Sequence, residues 1–210
     1  MLIRFCGAAK VVTGTNYYIN TKEAKFLVDC GLFQGDKELE QKNLADFLFN
    51  PKEIDFVLLT HSHLDHIGRL PKLVKEGFSG KIFATQPTID FTRLMLEDSQ
   101  KIIQEKARKA DAVSWFSGRE VEEVMNLFEK IEYGQEKKQK DVFFIFHEAG
   151  HILGSAIIET KAEGQTVVFS GDLGNWPVPI LRKPACLSKA DYIIIESTYG
   201  FPSNVNGRQE

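Results

Sequence analysis

The sequence predicts an α/β sandwich, two β-sheets face to face with helices outside them. Three observations carry that expectation. Short runs rich in Val, Ile and Phe, each bounded by turn residues, occupy both ends of the chain. Amphipathic patterns with helical spacing occupy its middle. The resulting order, strands then helices then strands, is the one that layered α/β domains use.

The first strands are expected at 2–5, 17–19 and 25–29, with the turn Val12-Thr-Gly-Thr15 between the first two. A fourth follows at 56–60. A helix then begins near Asp65 and contains Pro71 to Lys75, and Gly77 and Gly80 bracket the turn into a strand at 81–84. Pro87 opens a long helix that reaches Ala110, with Phe91, Leu94, Met95, Ile102 and Ile103 on one side. From Gly118 to Tyr133, Val121, Val124, Met125 and Phe128 recur at i, i+3, i+4 and i+7, a second amphipathic helix. The charged stretch 135–141 reads as a solvated hairpin or edge. Further strands are expected at 142–147, 156–160, 166–170 and 192–196; the last, closed by Glu196, has a buried-looking pattern, and in a domain left incomplete after it Ile193–Ile195 are expected to leave apolar surface exposed and to favour self-association. Ser170-Gly-Asp-Leu-Gly174 forms a tight loop after the third of these.

The composition sets outer bounds. A chain of 210 residues with 43% hydrophobic and 26% charged residues suits one folded domain and excludes long disorder. Its net charge of −3 gives no bulk attraction to nucleic acid or anionic membranes. A polyanionic substrate must then be held by a local feature such as a metal. Cys6, Cys30 and Cys186 are too few and too scattered for a disulfide framework. The N-terminus lacks a signal-peptide layout, and no run approaches the roughly 18 apolar residues of a membrane helix. The expected setting is a reducing cytoplasm. Sixteen Phe against two Trp point to an aromatic core.

The chemistry concentrates at one point. The strand ending at Thr60 runs into His61-Ser-His-Leu-Asp-His66, which holds three of the five histidines of the chain. In an extended segment residues i and i+2 point the same way, so His61 and His63 can grip one ion. If a helix starts there, Asp65 and His66 turn toward a second ion. Imidazole and carboxylate together suit Zn²⁺ or a similar divalent cation. Further ligands should sit at other strand ends. His151, in a loop between Gly150 and Gly154, is one candidate, and Asp172, between Gly171 and Leu173, is another; by itself that aspartate also reads as a turn residue. Asp29 closes its strand and reads either as a turn aspartate or as the carboxylate that orients a metal-bound histidine. Cys30 reads as a packed thiol and His147 as structural. Neither a Gly-x-Ser-x-Gly elbow nor a glycine-rich phosphate loop is present.

These residues, in this order, resemble the metallo-β-lactamase superfamily: Asp29, His61-x-His63-x-Asp65-His66, His151 and Asp172. Phe5–Thr15, Val28–Gly35, Thr60–Gly68, Arg69-Leu-Pro-Lys72, Ser170–Asn175 and Glu196-Ser-Thr-Tyr-Gly200 are similar to its β-CASP branch of RNA-processing nucleases. The resemblance implies an αββα sandwich, with residues 1–200 as the N-terminal part of the metal domain, incomplete at its C-terminal end. Residues 201–210 would begin a cap domain. It implies a ribonuclease acting through a dinuclear metal-activated hydroxide, with two divalent ions, most simply zinc. His61, His63 and His151 would hold one ion and Asp65 and His66 the other, while Asp172 bridges. Asp65 would also orient the attacking water, and Glu196 would act with a histidine that the family supplies from later sequence. The implied substrate is RNA, with no membrane partner, and a homodimer is a further expectation. Two other readings stay open: a thioester or lactam hydrolase of the same superfamily, and an inactive metal-binding fragment.

Overall fold

The computed structural model describes residues 1–109, 114–175 and 177–198. One sheet has six strands in sequential order: β1 (Leu2–Phe5), β2 (Tyr17–Asn20), β3 (Lys25–Val28), β4 (Phe56–Leu58), β5 (Lys81–Ala84) and β6 (Phe128–Lys130). The first three pair antiparallel, and β3 to β6 pair parallel. Parallel neighbours need crossovers, and these carry the helices: α1 (Lys37–Gln41), α2 (Leu64–Ile67), α3 (Leu70–Lys75), α4 (Gln86–Lys109) and α5 (Gly118–Asn126). The second sheet has five strands: β7 (Glu136–Gln139), β8 (Val142–Glu148), β9 (Ala156–Ala162), β10 (Gln165–Phe169) and β11 (Tyr192–Ile194). Their spatial order is β11-β10-β9-β8-β7, and only the β10–β11 pair is parallel.

Strand alternation divides the apolar residues into layers. Phe26, Val28, Phe56 and Leu58 of the first sheet meet Phe144, Phe146, Ile158, Val167 and Phe169 of the second. Phe56 stacks on Phe26 with centroids 4.8 Å apart and lies 5.9 Å from Phe144, so the inter-sheet core is built on phenylalanine. Leu27, Val57 and Ile82 face the other way and are covered by Ile67, Leu70, Leu73, Leu96, Val121 and Val124 from the helices. The outer face of the second sheet carries Ile157 and Val168, over which Leu173, Leu187 and Ala190 pack.

Three local expectations are corrected. The helix from Gly118 ends at Asn126 instead of Tyr133. Ser117 caps its start through a reciprocal bond set with Glu120, but the chain then bends so that the Leu127 carbonyl accepts from the Ile82 amide and β6 joins the sheet. Phe128 still packs on the helical layer, which is why its spacing imitates a helix. The helix expected from Asp65 to Lys75 splits at Gly68-Arg69, because the Arg69 amide donates to the Cys30 carbonyl at 2.9 Å. The last strand ends at Ile194, and Tyr192, Ile193 and Ile195 are exposed; as the outer strand of its sheet among the described residues, β11 buries only Ile194 against the core. The charged stretch 135–141 supplies β7, an edge strand. The short helix α1, capped by Asp36, is an element that the sequence reading omitted. The expected helix end at Ala110, the last two residues of the 196–200 segment and the tail 201–210 lie outside the described residues. Among the described residues, no helix is long and apolar enough to cross a membrane.

Candidate metal centre

The candidate residues come from loops at the C-terminal ends of five strands and converge on one rim of the sandwich. His61 lies just past β4, and His63 is the extended N-cap of α2, which contains Asp65 and His66. Asp29 follows β3, His151 follows β8, Asp172 follows β10 and Glu196 follows β11. Backbone bonds tie these loops together. The Ala156 amide donates to the Thr60 carbonyl at 2.7 Å and joins the two sheets beside the site. The Thr15 amide donates to Asp65 and the Cys30 amide to His66, both through backbone carbonyls. Gly174 passes so close to Gly150 that a Cβ there would sit 1.6 Å from the Gly150 carbonyl oxygen, and this approach draws Asp172 toward His151.

One ligand atom from each of His61, His63, His151 and Asp172 lies within 4.8 Å of the others. His61 Nε2 is 3.0 Å from His63 Nδ1, which is 3.2 Å from His151 Nε2. Asp172 Oδ2 stands 3.5, 3.9 and 3.4 Å from those of His61, His63 and His151 in turn. A tetrahedral cation with metal–nitrogen bonds of 2.0–2.1 Å needs its ligands about 3.3–3.4 Å apart. The five donor–donor distances, 3.0–3.9 Å, bracket that spacing, and the chemistry of the four donors suits a divalent cation. The other carboxylate oxygen of the same aspartate, Oδ1, points elsewhere, 3.3 Å from His66 Nε2. That nitrogen also has Asp65 Oδ2 at 3.8 Å and Thr15 Oγ1 at 3.4 Å. Asp172 thus presents one oxygen to each of two adjacent groups.

Behind this cluster lies a buried polar pair. Asp29 is fully buried and holds the left-handed backbone conformation, φ 58°, which aspartate tolerates better than most residues. Its Oδ1 accepts from the Thr60 amide at 2.8 Å, and its Oδ2 accepts from the Thr60 hydroxyl at 2.7 Å. The same Oδ2 lies 2.7 Å from His66 Nδ1. Sequence reasoning passed over Thr60, although its place between a strand end and a histidine triplet was the available signal.

Electrostatics separate the histidines. Burial, aided by the charge on His66, pushes His61 down to about 3, so one ring nitrogen keeps a free lone pair at neutral pH. Burial acts the same way on His66, but the Asp29 and Asp172 carboxylates outweigh it and raise that group to about 10. Burial also lowers His151. Asp172 is held well below the usual carboxylate range, since the hydrogen bonds of His61, His63 and His66 overcome its burial. Asp65 is raised by burial. The Cys30 thiol, fully buried, is pushed up to about 12, which suits packing and not metal ligation. His147 stands apart from the cluster and pairs with Glu159 at 2.9 Å.

A cleft of about 430 Å³ opens beside the cluster. His66, Asp172 and Glu196 line it together with Lys10 and Tyr17, two residues that sequence reasoning did not single out. Glu196 is anchored there by the Leu173 amide, which donates to Oε1 at 2.8 Å. Burial first, then the nearby Asp29 and Asp172 charges, raise the Tyr17 phenol to about 12, so it remains an O–H donor at neutral pH.

Residues 9–185 match the family model of the metallo-beta-lactamase superfamily. The chain is 41% identical over 194 residues to Ribonuclease TTHA0252 of Thermus thermophilus, an alignment that covers 92% of this chain and 43% of that protein. It is 30% identical over 200 residues to Cleavage and polyadenylation specificity factor 73 of Drosophila melanogaster, covering 94% and 28% of the two chains. With Transcription termination factor FttA of Methanocaldococcus jannaschii it shares 28% identity over 215 residues, 99% of this chain and 33% of the other. The chain therefore spans less than half the length of these relatives. Among solved structures, the metallo-beta-lactamase fold protein YhfI from Bacillus subtilis superposes with a TM-score of 0.51 at 15% identity, over 81% of this chain and 62% of that one, a likeness of fold.

Proposed function

The chain belongs to the metallo-β-lactamase superfamily, with relatives in its β-CASP branch, and from that premise we propose that it forms the metal-binding part of a ribonuclease that hydrolyses phosphodiester bonds in RNA. The observation that carries the hydrolytic reading is the convergence of His61, His63, His151 and Asp172 to within 4.8 Å from three separate loops. The ribonuclease relative at 41% identity supports RNA as the substrate.

In this reading His61, His63, His151 and Asp172 would hold one divalent cation. Asp65 and His66 would hold a second, with the other carboxylate oxygen of Asp172 facing that side. Zinc is the natural choice for a set rich in imidazole. Such cations lower the pKa of a water molecule and offset the charge that builds on phosphoryl oxygens. The protein side chains do the rest. His61 stays neutral because of its burial and keeps a lone pair available at neutral pH. Asp65, part-exposed beside His66 Nε2, would orient an attacking water and take its proton. Asp29 fixes the ring of His66 by accepting from Nδ1. Glu196, held on the cleft wall by the Leu173 amide, would act near the scissile phosphate together with a histidine from the part of the family domain beyond this sequence. Lys10 is the one Lys or Arg among the described cleft residues and would supply the local positive charge that the acidic whole lacks. A homodimer that covers Tyr192, Ile193 and Ile195 belongs to the same proposal.

The test sets His63→Ala and Asp172→Asn beside the wild type on a fluorescent RNA, with a chromogenic lactam and a thioester as comparison substrates. RNA cleavage should fall by at least about 100-fold in each variant, with circular dichroism unchanged. A folded His63→Ala protein that still cuts RNA at the wild-type rate, or a wild type that cleaves only the lactam or thioester, ends the proposal.

A further inference from the structure

We propose that the Thr60 hydroxyl is a positioning group that relays the Asp29 carboxylate to His61, so that one buried pair orients a histidine on each side of the metal centre. The proposal rests on the metal-centre reading above but not on the identity of the substrate.

The argument is a count of hydrogens. Thr60 Oγ1 has one proton and three near neighbours: Asp29 Oδ2 at 2.7 Å, His61 Nδ1 at 3.0 Å and His66 Nδ1 at 3.3 Å. A carboxylate can only accept, so the shortest contact takes the hydroxyl proton. The hydroxyl oxygen is then an acceptor toward His61, and His61 must carry its proton on Nδ1 to meet it. The opposite assignment would leave a hydroxyl lone pair facing a carboxylate lone pair at 2.7 Å. The Asp29 oxygen bonded to the hydroxyl also accepts from His66 Nδ1, again at 2.7 Å. Both rings are therefore fixed with Nδ1–H inward and Nε2 toward the centre, His61 through Thr60 and His66 directly.

The rest of the site keeps Thr60 in place. Its amide donates to Asp29 Oδ1 at 2.8 Å, and its carbonyl accepts from Ala156 at 2.7 Å. Its side chain is β-branched and buried, and a Cβ on Gly171 would lie 2.7 Å from its own Cβ, so the rotamer is enclosed. Valine has the same shape and no hydroxyl; serine keeps the hydroxyl.

Two readouts test the relay without an activity assay. Long-range ¹H–¹⁵N spectra of the metal-free chain at pH 7 should show His61 as the Nδ1–H tautomer in wild type and in Thr60→Ser, and as a mixture in Thr60→Val. Chelator competition with Zn²⁺ should show affinity lowered by about 10–100-fold in Thr60→Val and nearly unchanged in Thr60→Ser. A merely structural threonine would lower the melting temperature of Thr60→Val and leave the tautomer and the affinity alone, which overturns the proposal. A wild-type His61 protonated at Nε2, or a Thr60→Ser affinity as low as that of Thr60→Val, overturns it too. If Thr60→Val does not fold, the wild-type tautomer and the Thr60→Ser affinity decide. A wild-type chain that binds no Zn²⁺ would defeat the metal-centre reading, and the tautomer would still judge the relay.

Discussion

Gly174→Ala tests how the metal centre is assembled, because the substitution touches no ligand. A Cβ at position 174 would sit 1.6 Å from the Gly150 carbonyl oxygen and 2.7 Å from the His151 amide nitrogen. Ordinary contact requires about 3.4 Å or more, so the loops that carry Asp172 and His151 must separate by about 1.8 Å. Metal–ligand distances tolerate only about 0.2 Å. Whichever loop yields, at least one of the four donors leaves reach, and Zn²⁺ affinity should drop by about 100-fold. Stability should change far less. Both loops lie beyond the Phe-rich core between the sheets, and local overpacking costs about 1–3 kcal/mol, or roughly 2–4 °C in Tm for each kcal/mol in a chain of this size. The assay is competition with a chromophoric chelator, with thermal unfolding followed in parallel. Gly118→Ala is the control, since a Cβ there meets nothing within 4 Å. A Gly174→Ala chain whose affinity stays within about tenfold of wild type, the effect of 1.4 kcal/mol, would refute the idea that this close approach builds the site.

The remaining predictions concern charge. Lys10→Ala should raise KM for RNA about tenfold, leave kcat nearly unchanged and reduce the slope of log affinity against log salt by about 1; equal salt slopes for the two proteins would remove Lys10 from phosphate binding. At pH 7 the metal-free His66, raised to about 10 by Asp29 and Asp172, carries a second ring proton that an incoming cation must displace, whereas His61, lowered to about 3, is neutral and has no proton to lose from Nε2. Zn²⁺ binding should therefore release about one proton from these two histidines. Affinity at the His66 side should rise with pH, about tenfold per unit, until the pH passes the raised pKa. Calorimetry in buffers of different ionisation enthalpy measures the release, and zero release at pH 7 would contradict the charge assignment. Sedimentation of wild type against Ile193→Glu checks the homodimer: the wild type should sediment as a dimer and the variant as a monomer.

How much of this was legible in the sequence depends on how far apart the interacting residues lie. The period-2 and helical patterns located most strands and the long helix to within a few residues, because side-chain facing is a local property. The spacing of His61 and His63 likewise implied that both rings face one way, and in the structure the two facing nitrogens are 3.0 Å apart. Position at a strand end drew attention to His151, Asp172 and Asp29.

Tertiary structure decided whatever required a partner distant in the chain. The helical spacing of Val121, Val124 and Met125 is real, but it does not mark where the helix stops, and pairing with β5 drew Phe128 into a strand. Thr60 looked like an ordinary strand residue until the fold brought Asp29, 31 positions away, within 2.7 Å of its hydroxyl. The sequence by itself determined which ligand types this chain owns and which way neighbouring ones face. Their distances, protonation and supporting bonds came only from the packing of separate loops, because burial and hydrogen bonding are properties of what surrounds a residue and not of its place in the chain.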